Sequence, residues 1–269
     1  KEHLLSCYIC HPSMANDSLS GVIATVFIAK ELLKLRDNLE YSYRIVFVPE
    51  TIGAITYCAN NENEMKSINK ALVVTTCGGP GNYGYKQSWN KASLINAMTE
   101  DVFKENEIDF ETYPFDIHGS DERQYSSQGF RINCVTITKD KYYEYDYYHT
   151  SLDDLNFVSS DSIHKSIDLY LQLIKKMDKD IILTNKYPNC EVMLSKHDLY
   201  PKIGGSVKQL VLTELKDSKN NLDIILEVLF YCDGQVTLYE LSKQLNINLN
   251  TLYEIGINLV DKGILEVSE

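Results

Sequence analysis

Residues 7–21 read CYICHPSMANDSLSG, and two incompatible structures fit this text. The first five letters match a c-type haem attachment signature, Cys-x-x-Cys-His. The remainder reads as a metal-ligand turn feeding a helix. Haem c needs both thiols and the histidine on one side of a turn or short helix, whereas LLSCYIC at 4–10 reads as extended chain. A strand's period of two sends Cys7 and Cys10 to opposite faces. The same geometry argues against a CxxC redox pair, and no second pair completes a zinc ribbon. Both cysteines are expected to be small buried hydrophobes.

With 4–10 as a buried strand, the DSLSG at 17–21 supplies side-chain oxygens suited to a helix start, and the helix is expected over 19–35. The alternation continues. YRIVFVP (43–49), KALVVTTC (70–77) and the run at 132–138 read as apolar strands; IGAITYCANN (52–61), 91–105 and 159–180 read as helices. Continuous apolar strands alternating with helices predict an α/β fold, a mainly parallel mixed sheet covered by helices. Ligands in such folds gather at the carboxyl ends of the strands. GGPGNYG at 78–84 lacks the Gly-Lys-Ser/Thr ending of a phosphate-binding loop and is expected to be a turn.

The text changes at TNKYPNCEVMLSKHDLYPKIGG (184–205), which has two prolines and no clear period. The predicted organisation is therefore a catalytic domain over 1–184, a linker over 185–205 and a small module over 206–269. Three helical stretches and a short strand, with a turn at 246–250, predict a winged helix for that module. The chain opens at Lys1 directly in strand-like text, so further residues are expected upstream.

Charge bounds the partners. The formal net charge is −12, with 38 acidic against 26 basic residues, which repels phosphate backbones and anionic membranes. Residues 206–269 hold five lysines and no arginine against ten acidic residues. The would-be recognition helix offers only Lys262 to a phosphate. Protein contact, within the chain or in a homo-oligomer, is expected in place of nucleic acid, with a DNA-binding regulator as the rival. No run is long and dry enough to span a bilayer, and no signal peptide is visible. Seven scattered cysteines suit a reducing cytoplasm.

Candidate metal ligands fall at predicted strand-to-helix junctions. His11 follows the first strand, with Asp17 six residues on; Glu50 sits in VFVPETIG (46–53); HGSDERQY spans 118–125; His149 precedes Asp153 and Asp154 in YYHTSLDDL (147–155). Taken singly, each has a plain structural role, such as a helix-entry acid favoured by the macrodipole.

Taken in order, CHPSMANDSLSG, VPETIG, GSDERQYSSQGF and YYHTSLDDL resemble the motifs of the zinc aminopeptidase superfamily, which includes bacterial leucyl aminopeptidase, glutamate carboxypeptidase and glutaminyl cyclase. The chain is most similar to an aminopeptidase-like branch associated with polysaccharide biosynthesis that carries a C-terminal winged helix. The resemblance covers nearly all of the chain. It implies that His11 is the first metal ligand, Asp17 the carboxylate that bridges two metals in the parent enzymes, Glu50 the general base and His149 the last histidine ligand. Asp121 matches an acid that supports the site. Glu122 and Arg123 stand where many relatives carry a histidine, and Arg123 can clamp a substrate carboxylate or pair with its neighbouring acids.

Two departures from the family pattern matter. Thr51 replaces the parents' second glutamate, and Thr76 followed by Cys77 replaces a strand-end aspartate. Two imidazoles and one carboxylate remain, a shell for a single zinc with an open fourth position. Cys77 is either a further thiolate ligand or a buried core cysteine. The run KYYEYDYY (141–148) is either a pocket wall beside His149 or an edge strand. The implied activity is hydrolysis of a peptide or another amide-containing small substrate by zinc-activated water, with Glu50 as base. The alternative is a metal-binding or scaffold protein, or one processing an acyl group as the single-zinc cyclases do.

Overall fold

The computed structural model describes residues 1–116, 118–199 and 221–268. Two compact units divide the chain, Lys1–Met177 and Asp178–Glu269. In the first, β1 (Glu2–Tyr8), β2 (Ser42–Val48), β3 (Ile68–Val73), β4 (Tyr83–Lys86), β5 (Phe110–Tyr113) and β6 (Asn133–Lys139) form one sheet in the order β2-β1-β3-β6-β4-β5. Neighbours among β2, β1, β3 and β6 run parallel, β4 lies antiparallel to β6, and β5 is parallel to β4. This is the mainly parallel mixed sheet that the sequence predicts. Leu4, Leu5 and Cys7 of β1 and Ala71, Leu72 and Val73 of β3 have no exposed surface, because strands covered on both faces carry near-continuous apolar runs.

The helices of this unit are α1 (Gly21–Leu35), α2 (Ile52–Asn60), α3 (Glu62–Lys66), α4 (Leu94–Glu105), α5 (Glu122–Tyr125) and α6 (Ser160–Asp178). Along α1 the buried positions are Gly21, Ala24, Thr25, Ile28 and Leu32, the three-and-four spacing of a helix with one face on a sheet. Residues Ala15–Ser20 form an irregular turn before it, so α1 starts two residues later than expected. Its first residue has to be glycine: a Cβ on Gly21 would lie 2.5 Å from the Val74 carbonyl oxygen and 2.6 Å from Ser18 Oγ. From α6, the Tyr170 hydroxyl accepts from Ile137 N–H (3.0 Å) and donates towards the Val73 and Ile137 carbonyls (2.9 and 2.8 Å). It fills the gap where β3 and β6 separate beyond their last paired residues, Leu72 and Val135.

Two strands depart from the expectation. The Gly-rich stretch turns as predicted but its last residues enter β4, and β5 is equally short. KYYEYDYY forms a run of turns and no edge strand.

In the second unit β7 (Ile182–Asn185), β8 (Asp233–Thr237) and β9 (Leu265–Val267) pair antiparallel in the order β8-β7-β9, with α7 (Asn221–Tyr231), α8 (Leu238–Leu245) and α9 (Leu249–Asp261). A reciprocal capping box of Thr237 and Glu240 starts α8, and Asn246 in the left-handed conformation (φ 54°) ends it. The predicted boundary at 184 therefore moves: Ile182–Asn185 pair with β8 and β9 and belong to the small unit. The expected linker at 185–205 contributes Asn185 to β7 and a short turn of helix at Leu194–His197; residues 200–220, covering the rest of the linker and the start of the expected module, lie outside the described residues. Among the described residues, no helix is long and apolar enough to cross a membrane.

Candidate metal centre

β1, β2 and β3 are parallel, so the segments that leave them emerge at one edge of the sheet. That edge gathers His11 after β1, Glu50 after β2 and Thr76 after β3. One ligand atom each from His11, Asp17 and His149 lies within 4.8 Å of the others. His149 Nε2 is 3.2 Å from Asp17 Oδ2, and the two imidazole centroids are 4.9 Å apart. His11 Nε2 is 3.8 Å from Glu50 Oε2. The three residues taken from the sequence as ligands, and the residue taken as base, are thus brought together.

Asp17 is held from three sides. Its backbone N–H and that of Asn16 donate to the buried Asp153 carboxylate (3.0 and 2.6 Å), which also accepts from the Tyr145 hydroxyl at 3.1 Å. On its own carboxylate, Oδ1 accepts from the Tyr8 hydroxyl, which in turn accepts from Thr75 Oγ1 at 2.7 Å. The other oxygen, Oδ2, is buried and has no hydrogen-bond donor among the described residues. Burial pushes the Asp17 carboxyl above its ordinary range, opposed by the Tyr8 hydroxyl and the two imidazoles. A buried carboxylate oxygen facing two imidazoles with no donor between them suits a cation. Ligands set tetrahedrally about zinc at 2.0–2.1 Å stand roughly 3.4 Å apart, close to the Asp17–His149 separation.

Glu50 is partly buried, and desolvation raises its carboxyl above the usual range. The residue after it, Thr51, has φ 61°, ψ −71°, a strained conformation for a β-branched side chain. Its N–H donates to Asp121 Oδ1 at 2.7 Å, and Arg123 donates to its hydroxyl at 3.1 Å. Asp121 is fully buried, which lifts its carboxyl to about 7. Both residues thus grip the backbone beside Glu50. Glu122 is turned inward: it has no exposed surface, sits 3.2 Å from the buried Lys86 ammonium and accepts from Ser120 N–H. A substrate contact for Glu122 does not fit that burial.

Thr76 is buried with φ 46°, and Cys77 is buried with its thiol directed to the Thr75 carbonyl at 3.3 Å. Cys77 joins no ligand cluster among the described residues; it is a core cysteine. Cys7 is buried as expected, but Cys10 is exposed. β1 ends at Tyr8, so the alternation that buries Cys7 does not reach Cys10. The tyrosine-rich run makes a wall: Tyr148 stacks on His149 at 3.9 Å. Tyr145 and Tyr147, with Phe157, Asp140, Glu144 and Asp154, help line a cavity of about 930 Å³.

Sequence reasoning missed Tyr8, Cys10, Lys86 and Asp153 as parts of the site. Asp153 had a visible signal, an acid four residues after His149, but nothing local told it apart from Asp154.

Parallel strands that deliver two histidines, an aspartate and a glutamate to one sheet edge, followed by a winged helix-turn-helix, define an aminopeptidase-like fold with an appended module. The chain belongs to the family described as Domain of unknown function (DUF4910), whose model matches residues 1–180; a winged helix-turn-helix model matches 181–267. A Clostridium acetobutylicum protein named "Putative polysaccharide biosynthesis protein with aminopeptidase-like domain" is 37% identical over 229 residues, covering 82% of this chain and 52% of that protein. The chain thus spans about half the length of this curated relative. A crystal structure titled as a putative peptidase from the same organism superposes with a TM-score of 0.76 at 32% identity, over 99% of this chain and 57% of that one. BSAP, a zinc aminopeptidase from Bacillus subtilis, matches with a TM-score of 0.54 at 14% identity, over 66% and 46%; that likeness is of fold alone. The winged-helix match does not support the expected exclusion of nucleic acid, since this motif presents a recognition helix to DNA in other proteins.

Proposed function

We propose that the first unit is a zinc-dependent aminopeptidase-like hydrolase in which His11, Asp17 and His149 hold one ion and Glu50 is the general base. The observation that carries this is that one ligand atom each from His11, Asp17 and His149 lies within 4.8 Å of the others, with the buried Oδ2 of Asp17, which has no hydrogen-bond partner among the described residues, 3.2 Å from His149 Nε2. A zinc ion bound there supplies water of lowered pKa and polarises the scissile carbonyl. Glu50, 3.8 Å from His11, accepts the proton of the attacking water and returns it to the leaving amine. Asp121 and Arg123 hold Thr51 and so aim Glu50. One ion is favoured because Thr51 and Thr76 offer neutral hydroxyls where the two-zinc relatives carry carboxylates.

The substrate is a peptide or another small amide; the cavity lined by Tyr145, Tyr147 and Phe157 includes none of His11, Asp17, Glu50 and His149, and touches their surroundings through Tyr145, whose hydroxyl bonds the Asp153 carboxylate that holds Asp17. Four carboxylates and no lysine or arginine line that cavity, which favours neutral or amine-bearing groups over anions. Glu50→Gln tests the assignment: amide hydrolysis falls about 10²–10⁴-fold with the first equivalent of zinc still bound, whereas loss of that first equivalent makes Glu50 a ligand of the catalytic ion. The two lost carboxylates also favour a second reading, an altered acyl-group reaction or metal-stabilised scaffolding, which zinc-loaded protein inert towards every amide would support.

For the second unit we propose protein contact in place of DNA binding, within the chain or in a homo-oligomer. Its acidity and the exposure of Phe230 and Leu226 on α7 (80% and 42%) support this. Duplex DNA binding that weakens steeply with salt would overturn it. All seven cysteines are free, which supports a reducing compartment such as the cytoplasm.

A further inference from the structure

Glu50 and His11 share a neighbour to which the hydrolytic reaction gives no role. Cys10 Sγ lies 3.5 Å from His11 Nδ1 and accepts the backbone N–H of Glu50 at 3.1 Å. Ligand atoms of Cys10, His11 and Glu50 all fall within 4.8 Å of one another. A thiol, an imidazole and a carboxylate at that spacing form a donor set for a borderline-soft divalent ion such as zinc. This set is separate from the first except at His11, whose ring has two nitrogens and can turn one to each position. It lacks a buried anchor: Cys10 is exposed, and the side chains of His11 and Glu50 retain 18% and 27% of their surface, whereas the first set joins His149, 46% exposed, to a buried acid. Asp17, the anchor of the first set, retains 1%.

We propose that Cys10, His11 and Glu50 form a second, weaker and inhibitory zinc position beside the catalytic one. Binding there forms a thiolate–metal bond and the thiol proton leaves to solvent; because His11 then holds an ion on each ring nitrogen, its ring N–H proton leaves to solvent as well. The same ion takes the carboxylate of Glu50, so the base is withdrawn while the ion of His11, Asp17 and His149 stays in place. Excess zinc then switches the site off without displacing the catalytic ion. The inhibitory consequence rests on the role of Glu50 proposed above; the binding does not.

Cobalt titration of the full chain separates the two. Dialysis gives the number of ions bound, and thiolate-to-cobalt charge-transfer absorption in the near ultraviolet reports sulfur ligation. The first equivalent is expected without that band and the second with it. Cys10→Ser loses the band and the second equivalent and keeps the first; His149→Ala loses the first. A wild-type protein that never binds the first equivalent, or a His149→Ala variant that still does, breaks the catalytic assignment. A first equivalent lost with His149→Ala, together with a band and second equivalent untouched by Cys10→Ser, breaks this one. A measurement on the unaltered protein guards against misfolded variants: alkylation of Cys10 by iodoacetamide, followed by peptide mass spectrometry. Zinc at ten times the dissociation constant of the second position should slow it about tenfold, and the first equivalent should not. An unchanged rate throughout overturns the proposal.

Discussion

Lys86→Met removes the cation from a deeply buried ion pair of the first unit. Lys86 is 2% exposed; its ammonium lies 3.2 Å from Glu122, which has no exposure, and 2.9 Å from Asp116, which is 45% exposed. Asp116 can turn to water when the cation is gone. Glu122 cannot, and removing one partner of a buried pair costs about 3–5 kcal/mol because the other charge stays buried. At about 2–4 °C per kcal/mol for a domain of this size, the melting temperature of the first unit should fall by about 6–20 °C. The effect should also reach the chemistry. Lys86 donates to the His118 carbonyl at 3.1 Å, and the same segment carries Asp121, which holds the backbone beside Glu50. Below the new melting temperature, amide hydrolysis should therefore drop while zinc stays bound. Thermal unfolding by near-ultraviolet circular dichroism, with zinc content measured on the same samples, reads both. Adding Glu122→Gln to Lys86→Met removes the stranded charge and should recover most of the loss. A loss under about 1 kcal/mol, the range of an exposed pair, or a double variant no better than the single, would refute the claim that this pair is buried and coupled.

Two further outcomes follow from the hydrogen bonds around the site. Asp153→Ala removes the acceptor of the Asn16 and Asp17 amides, so zinc affinity should fall about 10–100-fold in a folded protein, the usual effect of losing a group that orients a ligand; unchanged affinity in equilibrium dialysis would contradict this. Burial lifts the folded-state pKa of Asp121 to about 7 from an unfolded value near 4. The folded protein therefore holds the extra proton between those values, and the stability it confers is full below about pH 4 and lost as pH rises through about 7. Urea unfolding of chelated protein should show this decline in wild type and a flatter profile in Asp121→Asn, and parallel profiles would rule the assignment out.

Much of this was legible because three of the four motifs follow the parallel strands β1, β2 and β6, and those strands announce themselves as continuous apolar runs. LLSCYIC, YRIVFVP and KALVVTTC each contain the observed strand or most of it, and His11 after the first run, Glu50 after the second and Thr76 at the end of the third land at the shared edge. β4 and β5 were not legible: four residues are too few to establish a period, and Gly84 interrupts one of them. The boundary near 184 was misplaced because Ile182–Asn185 reads equally well as the last strand of the large sheet or the first of the small one; pairing with β8 and β9 decides it, and pairing is non-local. Glu122 reads from the sequence as a residue beside the site or its substrate because its motif matches the family's, whereas its inward turn depends on Lys86, on a distant strand. Cys10 was misjudged for the opposite reason, a periodicity extended two residues beyond the point where the strand stops.

The central claim is that His11, Asp17 and His149 share one zinc ion. Anomalous diffraction at the zinc edge, from crystals grown with one equivalent of zinc, tests it most directly. A single peak about 2.0–2.2 Å from an imidazole nitrogen of each histidine and an oxygen of Asp17 is predicted; zinc bound elsewhere, with Asp17 Oδ2 instead meeting water or a protein donor, would contradict it.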